Sequence, residues 1–264
     1  GAVLSTFGNK RDRSELRFNK PKDTAVDAAG NIWVADTNDH RVVKISPQGG
    51  LIQELGDARV KRGVKRFHPG SGAGQFRHPS GVALGPGERV YVSDTGNRRV
   101  QVFGGEGSFL RQFSLPPVQA RDVEGLEDDE DDEDSDSAVE AGSRQLGKPI
   151  GIDVDSGGRM YVADAKGRRA LVFEPDGSLV REIGIGRLKH PYGIAVSTDG
   201  SCIFVSDRGK DEILRFDRLG NVLLAFEGSL RSPSGLALDA SGRLLIADRN
   251  NDRIAVFGLP AGMT

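Results

Sequence analysis

The chain has 264 residues, 37% of them hydrophobic, with 36 glycines and a formal net charge of −2. Its single cysteine, Cys202, excludes an internal disulfide and suits a reducing compartment. No signal peptide and no apolar run of membrane-spanning length is visible, so nothing in the sequence points to secretion or membrane insertion.

Val3 to Phe7 reads as a lone strand followed by a glycine. Residues 9–20, with Lys10, Arg11, Arg13, Arg17 and Lys20, then lead into the first of five copies of one pattern. The copies open at Pro21, Pro79, Pro149, Pro191 and Pro233, and the last three are spaced by 42 residues. The second copy is the clearest. Gly81 to Leu84, Val90 to Val92, Val100 to Phe103 and Phe109 to Phe113 are short runs rich in β-branched or aromatic residues. They are separated by Gly85-Pro86-Gly87, Gly96-Asn97 and the glycines from Gly104 to Gly107, all chain-reversal signals. Each copy is therefore a four-stranded antiparallel meander. The fourth strands of the other copies are Leu51–Leu55, Leu179–Ile183 and Val222–Phe226. The last copy stops after Ile254–Phe257, and Val3–Phe7 matches the fourth strands. Pairing the two would close a ring and remove an exposed edge.

Five repeated meanders predict an all-β fold: a single β-propeller domain over residues 1–264, five-bladed by repeat count, with six the open alternative. Two junctions are long. Residues 57–78 form a basic insertion; residues 114–148 contain an acidic one. Within the latter, residues 124–140 hold eleven Asp or Glu and no Lys or Arg, a composition that predicts disorder. Discounting those eleven negative charges moves the remainder from −2 to +9.

Several recurring residues have structural explanations. The glycine two after each opening proline (Gly81, Gly151, Gly193, Gly235; Asp23 in the first copy) suits close approach of inner strands. Trp33, Tyr91, Tyr161 and Phe204, with Leu245 in the fifth copy, share a position expected to pack between blades. Asp36, Asp94, Asp164, Asp207 and Asp248 each close a second strand, and Arg41, Arg99, Arg169 and Arg253 follow five residues later, with Glu212 in the fourth copy. A structural Asp–Arg pair, with the carboxylate capping the next turn, is the expectation. Catalytic residues are seldom repeated around a ring. Cys202 is expected in the core.

The copies resemble NHL repeats: Gly81-Val-Ala-Leu, Val92-Ser-Asp, Asn97-Arg-Arg-Val-Gln-Val-Phe and His40-Arg41-Val42 carry the likeness. NHL propellers occur in tripartite-motif ubiquitin ligases, in bacterial sensor domains and in an amidating lyase. A basic propeller with an acidic insertion looks most like the tripartite-motif group. That resemblance implies a cytoplasmic recognition module binding RNA or protein substrates, with ubiquitin chemistry on a separate RING domain. The lyase's metal-binding histidines are not matched, since only His78 and His190 of the four histidines are equivalent. No catalytic residue, metal ligand, cofactor or membrane contact is expected, and the domain itself is expected to be monomeric.

Strand alternation sorts the loops. Turns joining first to second and third to fourth strands lie on one side, with Asp27, Glu88, Glu106, Asp155, Glu174, Asp176, Asp199, Asp217 and Asp239. Second-to-third turns and the blade junctions lie on the other. That side is expected to bind RNA or another polyanion through Lys10, Arg11, Arg13, Arg17, Lys20, Lys22, Arg59, Lys61, Arg62, Lys65, Arg66, Arg98, Lys148, Arg168, His190, Tyr192, Arg208, Lys210 and Arg249. Phe18, Phe67, Phe76 and Tyr192 are the candidate stacking rings. The alternatives are a protein-only scaffold, a propeller enzyme, and basic side chains that merely solvate the loops.

Overall fold

A computed structural model describes residues 6–7, 16–118, 146–226 and 229–259. Blade one is Pro21–Val26, Ile32–Asp36, Arg41–Ile45 and Leu51–Leu55 (β1–β4). A separate hairpin, Asp57–Lys61 and Val64–His68 (β5, β6), follows it. Blade two is Pro79–Gly85, Arg89–Asp94, Arg99–Phe103 and Phe109–Ser114 (β7–β10). Blade three is Pro149–Val154, Met160–Asp164, Arg169–Phe173 and Leu179–Ile183 (β11–β14). Blade four is Pro191–Val196, Cys202–Asp207, Glu212–Asp217 and Val222–Phe226 (β15–β18). Blade five contributes Pro233–Leu238, Arg243–Asp248 and Arg253–Gly258 (β19–β21). The result is a five-bladed all-β propeller: four antiparallel four-stranded meanders and, among the described residues, a three-stranded fifth.

The inner strands β1, β7, β11, β15 and β19 pack in chain order around a central channel. Glycine makes this spacing possible. A Cβ at Gly81, Gly151 or Gly193 would lie 2.4, 2.6 or 2.1 Å from a carbonyl oxygen of the next blade. Where blade one has Asp23, its carboxylate reaches across instead and accepts the Val82 N–H at 3.0 Å.

The core lies between blades. Trp33 packs with Val82, Val90 and Val92 of blade two. Tyr91 packs with Ile152, Met160 and Val162 of blade three. Tyr161 meets Ile194, Ile203 and Val205 of blade four, and Phe204 meets Leu244 and Ile246 of blade five. The interblade role expected of these aromatics is therefore what the structure contains. Cys202 belongs to the last of these clusters and is buried.

The seam between blades five and one differs. Ile254 and Val256 are 63% and 53% exposed, whereas Val100 and Val102, their counterparts in blade two, are fully buried. Among the described residues, a Cβ at Gly235 would meet only the Ala247 Cβ, at 3.9 Å. On the other flank Val26 is 64% exposed. The predicted pairing of Val3–Phe7 with β21 lies outside the described residues except at its end. Phe7 itself packs on Gly49 in the β3–β4 turn. Phe113 of blade two makes the same contact with Gly177 of blade three. Phe7 thus occupies the fourth-strand position of whatever blade precedes blade one.

Candidate polyanion-binding face

The junction side of the propeller is built on the repeated aspartate. Asp36, Asp94 and Asp248 accept backbone N–H groups of Asn19, Arg77 and Arg231 at 2.6–2.7 Å. Asp164 accepts the N–H of Lys148 at 2.7 Å, and Asp207 those of Lys189 and His190 at 2.6 and 2.8 Å. The expectation that this carboxylate caps the following turn holds in part. Gly167 and Gly209 do donate to it, but the partner present in every blade is the junction that precedes the opening proline. The other carboxylate oxygen accepts Arg41, Arg99, Arg169 or Arg253 Nε at 2.7–3.0 Å. Blade four, with Glu212 in that place, receives Arg187 from its junction as a bidentate partner instead. The Asp–Arg pairs are thus structural. Burial raises the pKa of Asp94, and pushes Asp36 up to about 6, despite these donors.

A left-handed residue precedes the third strand of every blade, and in blades one and four its side chain reaches the junction to the next blade. His40, Arg98, Arg168, Asp211 and Asp252 all have φ between 50° and 57°. The His40 ring sits edge-on to His78 at 4.4 Å, and Asp211 accepts the Ser232 N–H at 2.7 Å. Two residues expected on the surface are inside. Arg98 is 1% exposed and Lys148 is also buried. Arg168, His190, Tyr192 and Arg208 are half-buried, and the Arg208 guanidinium stacks on the Tyr192 ring at 3.3 Å. Lys10, Arg11 and Arg13 lie outside the described residues. Arg17, Lys20, Lys22, Arg59, Lys61, Arg62, Lys65, Arg66, Lys210 and Arg249 are exposed. Lys189 and Arg231, not singled out in the sequence, are exposed too. Their signal was position: each lies two residues before an opening proline.

Of the candidate stacking rings, Phe76 is fully buried. Phe67 lies between Arg41 and Lys65, 5.4 and 5.1 Å from its centre. Asp211 and Asp252 are exposed on the junction side of blades four and five, so the basic excess concentrates at the junction of blades one and two.

The opposite side is acidic for a local reason. Asp27, Asp155, Asp217 and Asp239 each accept backbone N–H groups two and four residues ahead within their own turn. Hydrogen bonds from Ser201 and Ser197 hold Asp199 down to about 2. These carboxylates are turn-formers.

The channel is a cavity of about 340 Å³ lined by Asp23, Asp153, Lys22, Ser80 and Tyr192 among others. Desolvation by burial pushes Asp23 up to about 7 and Asp153 up to about 6. Asp153 accepts Val154 and Val196 N–H groups, so both carboxylates latch their blade to the next. Among the described residues no three His, Cys, Asp or Glu are placed to share a metal ion. No described helix is long and apolar enough to cross a membrane.

Residues 18–45, 76–103 and 230–257 match the NHL repeat model. The chain is 31% identical over 157 residues to Protein brain tumor of Drosophila melanogaster, an alignment covering 58% of this chain and 13% of that protein. It is 27% identical over 156 residues to the B-box type zinc finger protein ncl-1 of Caenorhabditis elegans, covering 59% and 16%. It is also 24% identical to peptidyl-alpha-hydroxyglycine alpha-amidating lyase 2 of Drosophila melanogaster over 79% of this chain and 55% of that protein. The chain thus spans a small part of the first two relatives and about half of the third. Among solved structures, a chain of a nidogen/laminin complex superposes with a TM-score of 0.64 at 17% identity, covering 92% of this chain and 78% of that one. That likeness establishes the fold alone. The chain carries NHL repeats on a propeller.

Proposed function

We propose that this propeller is the recognition module of a larger cytoplasmic protein and binds RNA or another polyanion through its junction side. The supporting observation is one of placement. Exposed Lys and Arg gather there, densest between blades one and two, while the acids of the opposite side are engaged in their own turns. Lys20, Lys22, the β5–β6 hairpin, Lys189, Lys210, Arg231 and Arg249 form the surface in this reading. Arg98 and Lys148 are excluded by burial. Electrostatic contacts to phosphates are individually weak but collectively strong, and they fade with salt.

The parent protein in this reading is a tripartite-motif ubiquitin ligase, and any ligase chemistry belongs to its other domains. The likenesses to brain tumor and to a B-box zinc finger protein favour that parent. A protein substrate is the second reading, favoured by the exposed Ile254 and Val256 on blade five.

Hydrogen exchange of the chain with and without a 20-nucleotide RNA distinguishes the two. RNA binding slows exchange at β5–β6 and at the segments before Pro21, Pro191 and Pro233. No change there, or slowing confined to the turns of Asp27, Asp155 and Asp217, contradicts the proposal.

A further inference from the structure

The β5–β6 hairpin is the one described pair of strands that belongs to no blade. Its turn is Arg62-Gly63, with φ of 53° and 77°, both left-handed as a two-residue type I′ turn needs. Register pairs Arg59 with Arg66, Lys61 with Val64, Val60 with Lys65 and Ala58 with Phe67. Since side chains alternate, the hairpin has two unlike faces. One carries Ala58, Val60, Lys65 and Phe67, and it is tied to blade one. Lys65 Nζ binds Glu54, which also binds Arg41, and Phe67 packs beside Arg41.

The other face carries Arg59, Lys61 and Arg66, with Arg62 at the turn. Arg59 stands directly opposite Arg66, and like charges so placed destabilise a ladder. The one described ion pair on this face is Arg59 with Asp57, at 2.8 Å and exposed, a kind that contributes little. Lys61, Arg62 and Arg66 form no ion pair among the described residues. Nothing in the propeller core calls for this concentration of charge. No Phe, Tyr or Trp lies on this face: Phe67 points the other way, Tyr192 is covered by Arg208, and the one ring present is the half-buried imidazole of His68, opposite Asp57 at the end of the hairpin away from its turn. Stacking, by which single-stranded bases are usually engaged, has no Phe, Tyr or Trp platform here.

We propose that the face of the hairpin bearing Arg59, Lys61 and Arg66, with Arg62 at the turn, docks the phosphodiester backbone of RNA without reading its bases. This rests on the polyanion reading above and narrows it to one structural element and one ligand group. Alternate residues on a strand are about 6.8 Å apart, so the four cations form a strip rather than a point.

The test uses the full 264-residue chain and fluorescent 20-mers of rU and of rA, titrated from 50 to 200 mM salt. The variant is Arg59→Gln, Lys61→Gln, Arg62→Gln and Arg66→Gln combined, and the control is Arg159→Gln with Arg218→Gln, two exposed cations in turns on the opposite side. Each phosphate contact on single-stranded RNA contributes about 0.7 to the log–log salt slope, or about fivefold in affinity at 0.1 M salt. The fourfold variant is expected to flatten the slope by roughly 2–3 and to weaken rU and rA alike, while the control keeps both. A second variant, Arg59→Lys with Arg66→Lys, keeps the charge and should keep the slope. If the parent chain binds and the fourfold variant binds equally well, the hairpin is not the site, although the polyanion reading survives. If rU and rA differ by more than about tenfold in the parent chain, recognition is base-directed and this inference fails. If the parent chain binds neither RNA, the polyanion reading fails and takes this one with it.

Discussion

Replacing Gly193 with Ala tests the packing of the inner ring. Its Cβ would lie 2.1 Å from the Ser234 carbonyl oxygen and 3.1 Å from the Leu236 nitrogen, both on the inner strand of blade five. Ordinary contact begins near 3.4 Å, so blade five must retreat by more than 1 Å. The retreat strains the hydrogen bond from Ser206 Oγ to Ser234 O, now 2.7 Å, and loosens Ala195 and Phe204 against Leu244 and Ile246. Overpacking of this kind costs about 1–3 kcal/mol, and the weakened hydrogen bond adds about 1. The smaller unfolded-state entropy of Ala offsets about 0.4–1 kcal/mol. The expected net loss is about 1–3 kcal/mol, or roughly 3–10 °C in Tm for a chain of this size. Gly235→Ala is the control, because among the described residues its Cβ meets only Ala247, at 3.9 Å. It should leave stability unchanged or raise it by up to about 1 kcal/mol. Urea unfolding of both variants, followed by Trp33 fluorescence, measures the difference. Equal stabilities would refute the close approach of blades four and five. A loss at Gly235 as large as that at Gly193 would mean that another blade closes on it.

Four further outcomes are expected. Asp94→Ala removes the acceptor of Arg77 N, Asn97, Arg99 and Gln101 and should cost about 3–5 kcal/mol in urea unfolding, because buried Arg99 loses its counter-charge. Arg253→Ala in blade five, where the guanidinium is 48% exposed, should cost under about 1 kcal/mol. Burial holds Asp23 up at about 7, above its unfolded value near 3.9. Its contribution to stability is therefore full below about pH 4 and is lost as pH rises through about 7, and Asp23→Asn should flatten that decline in Tm. Asp23 keeps part of its surface toward the channel, so the slope should fall short of the buried-group limit of about 1.4 kcal/mol per pH unit. Finally, exchanging residues 124–140 for a Gly/Ser linker of equal length should tighten RNA binding at low salt, with the gain vanishing at high salt. The stems of that insertion meet on the junction side, where Pro117 bridges Leu146. Equal binding across the salt series would remove the tract from the account.

The blades were legible because β-sheet period, turn residues and a repeat period agree. Leu51–Leu55, Leu179–Ile183 and Val222–Phe226 begin and end where the sequence predicts. The hairpin was not foreseen. In Ala58-Arg-Val-Lys-Arg-Gly-Val-Lys-Arg-Phe67 five cations obscure the alternation, and the junction read as a loop. Arg98 and Arg99 are adjacent and alike in sequence, yet both turn inward, in different settings. Arg99 pairs with the buried Asp94, and Arg98 occupies the left-handed position before the third strand. The seam was hidden because Gly235 resembles the other ring glycines, and only the neighbour across the gap distinguishes it. For the site, strand alternation placed the loops on their sides correctly, but it could not tell which side chains the junctions bury.

The most direct test of polyanion recognition is the salt dependence of RNA binding by the unmodified chain. The account predicts that the association constant for a 20-mer of rU falls between 50 and 200 mM salt with a log–log slope of about −3 or steeper, the value for four or more phosphate contacts. Binding with a slope near zero, or no binding at 50 mM salt, would contradict it.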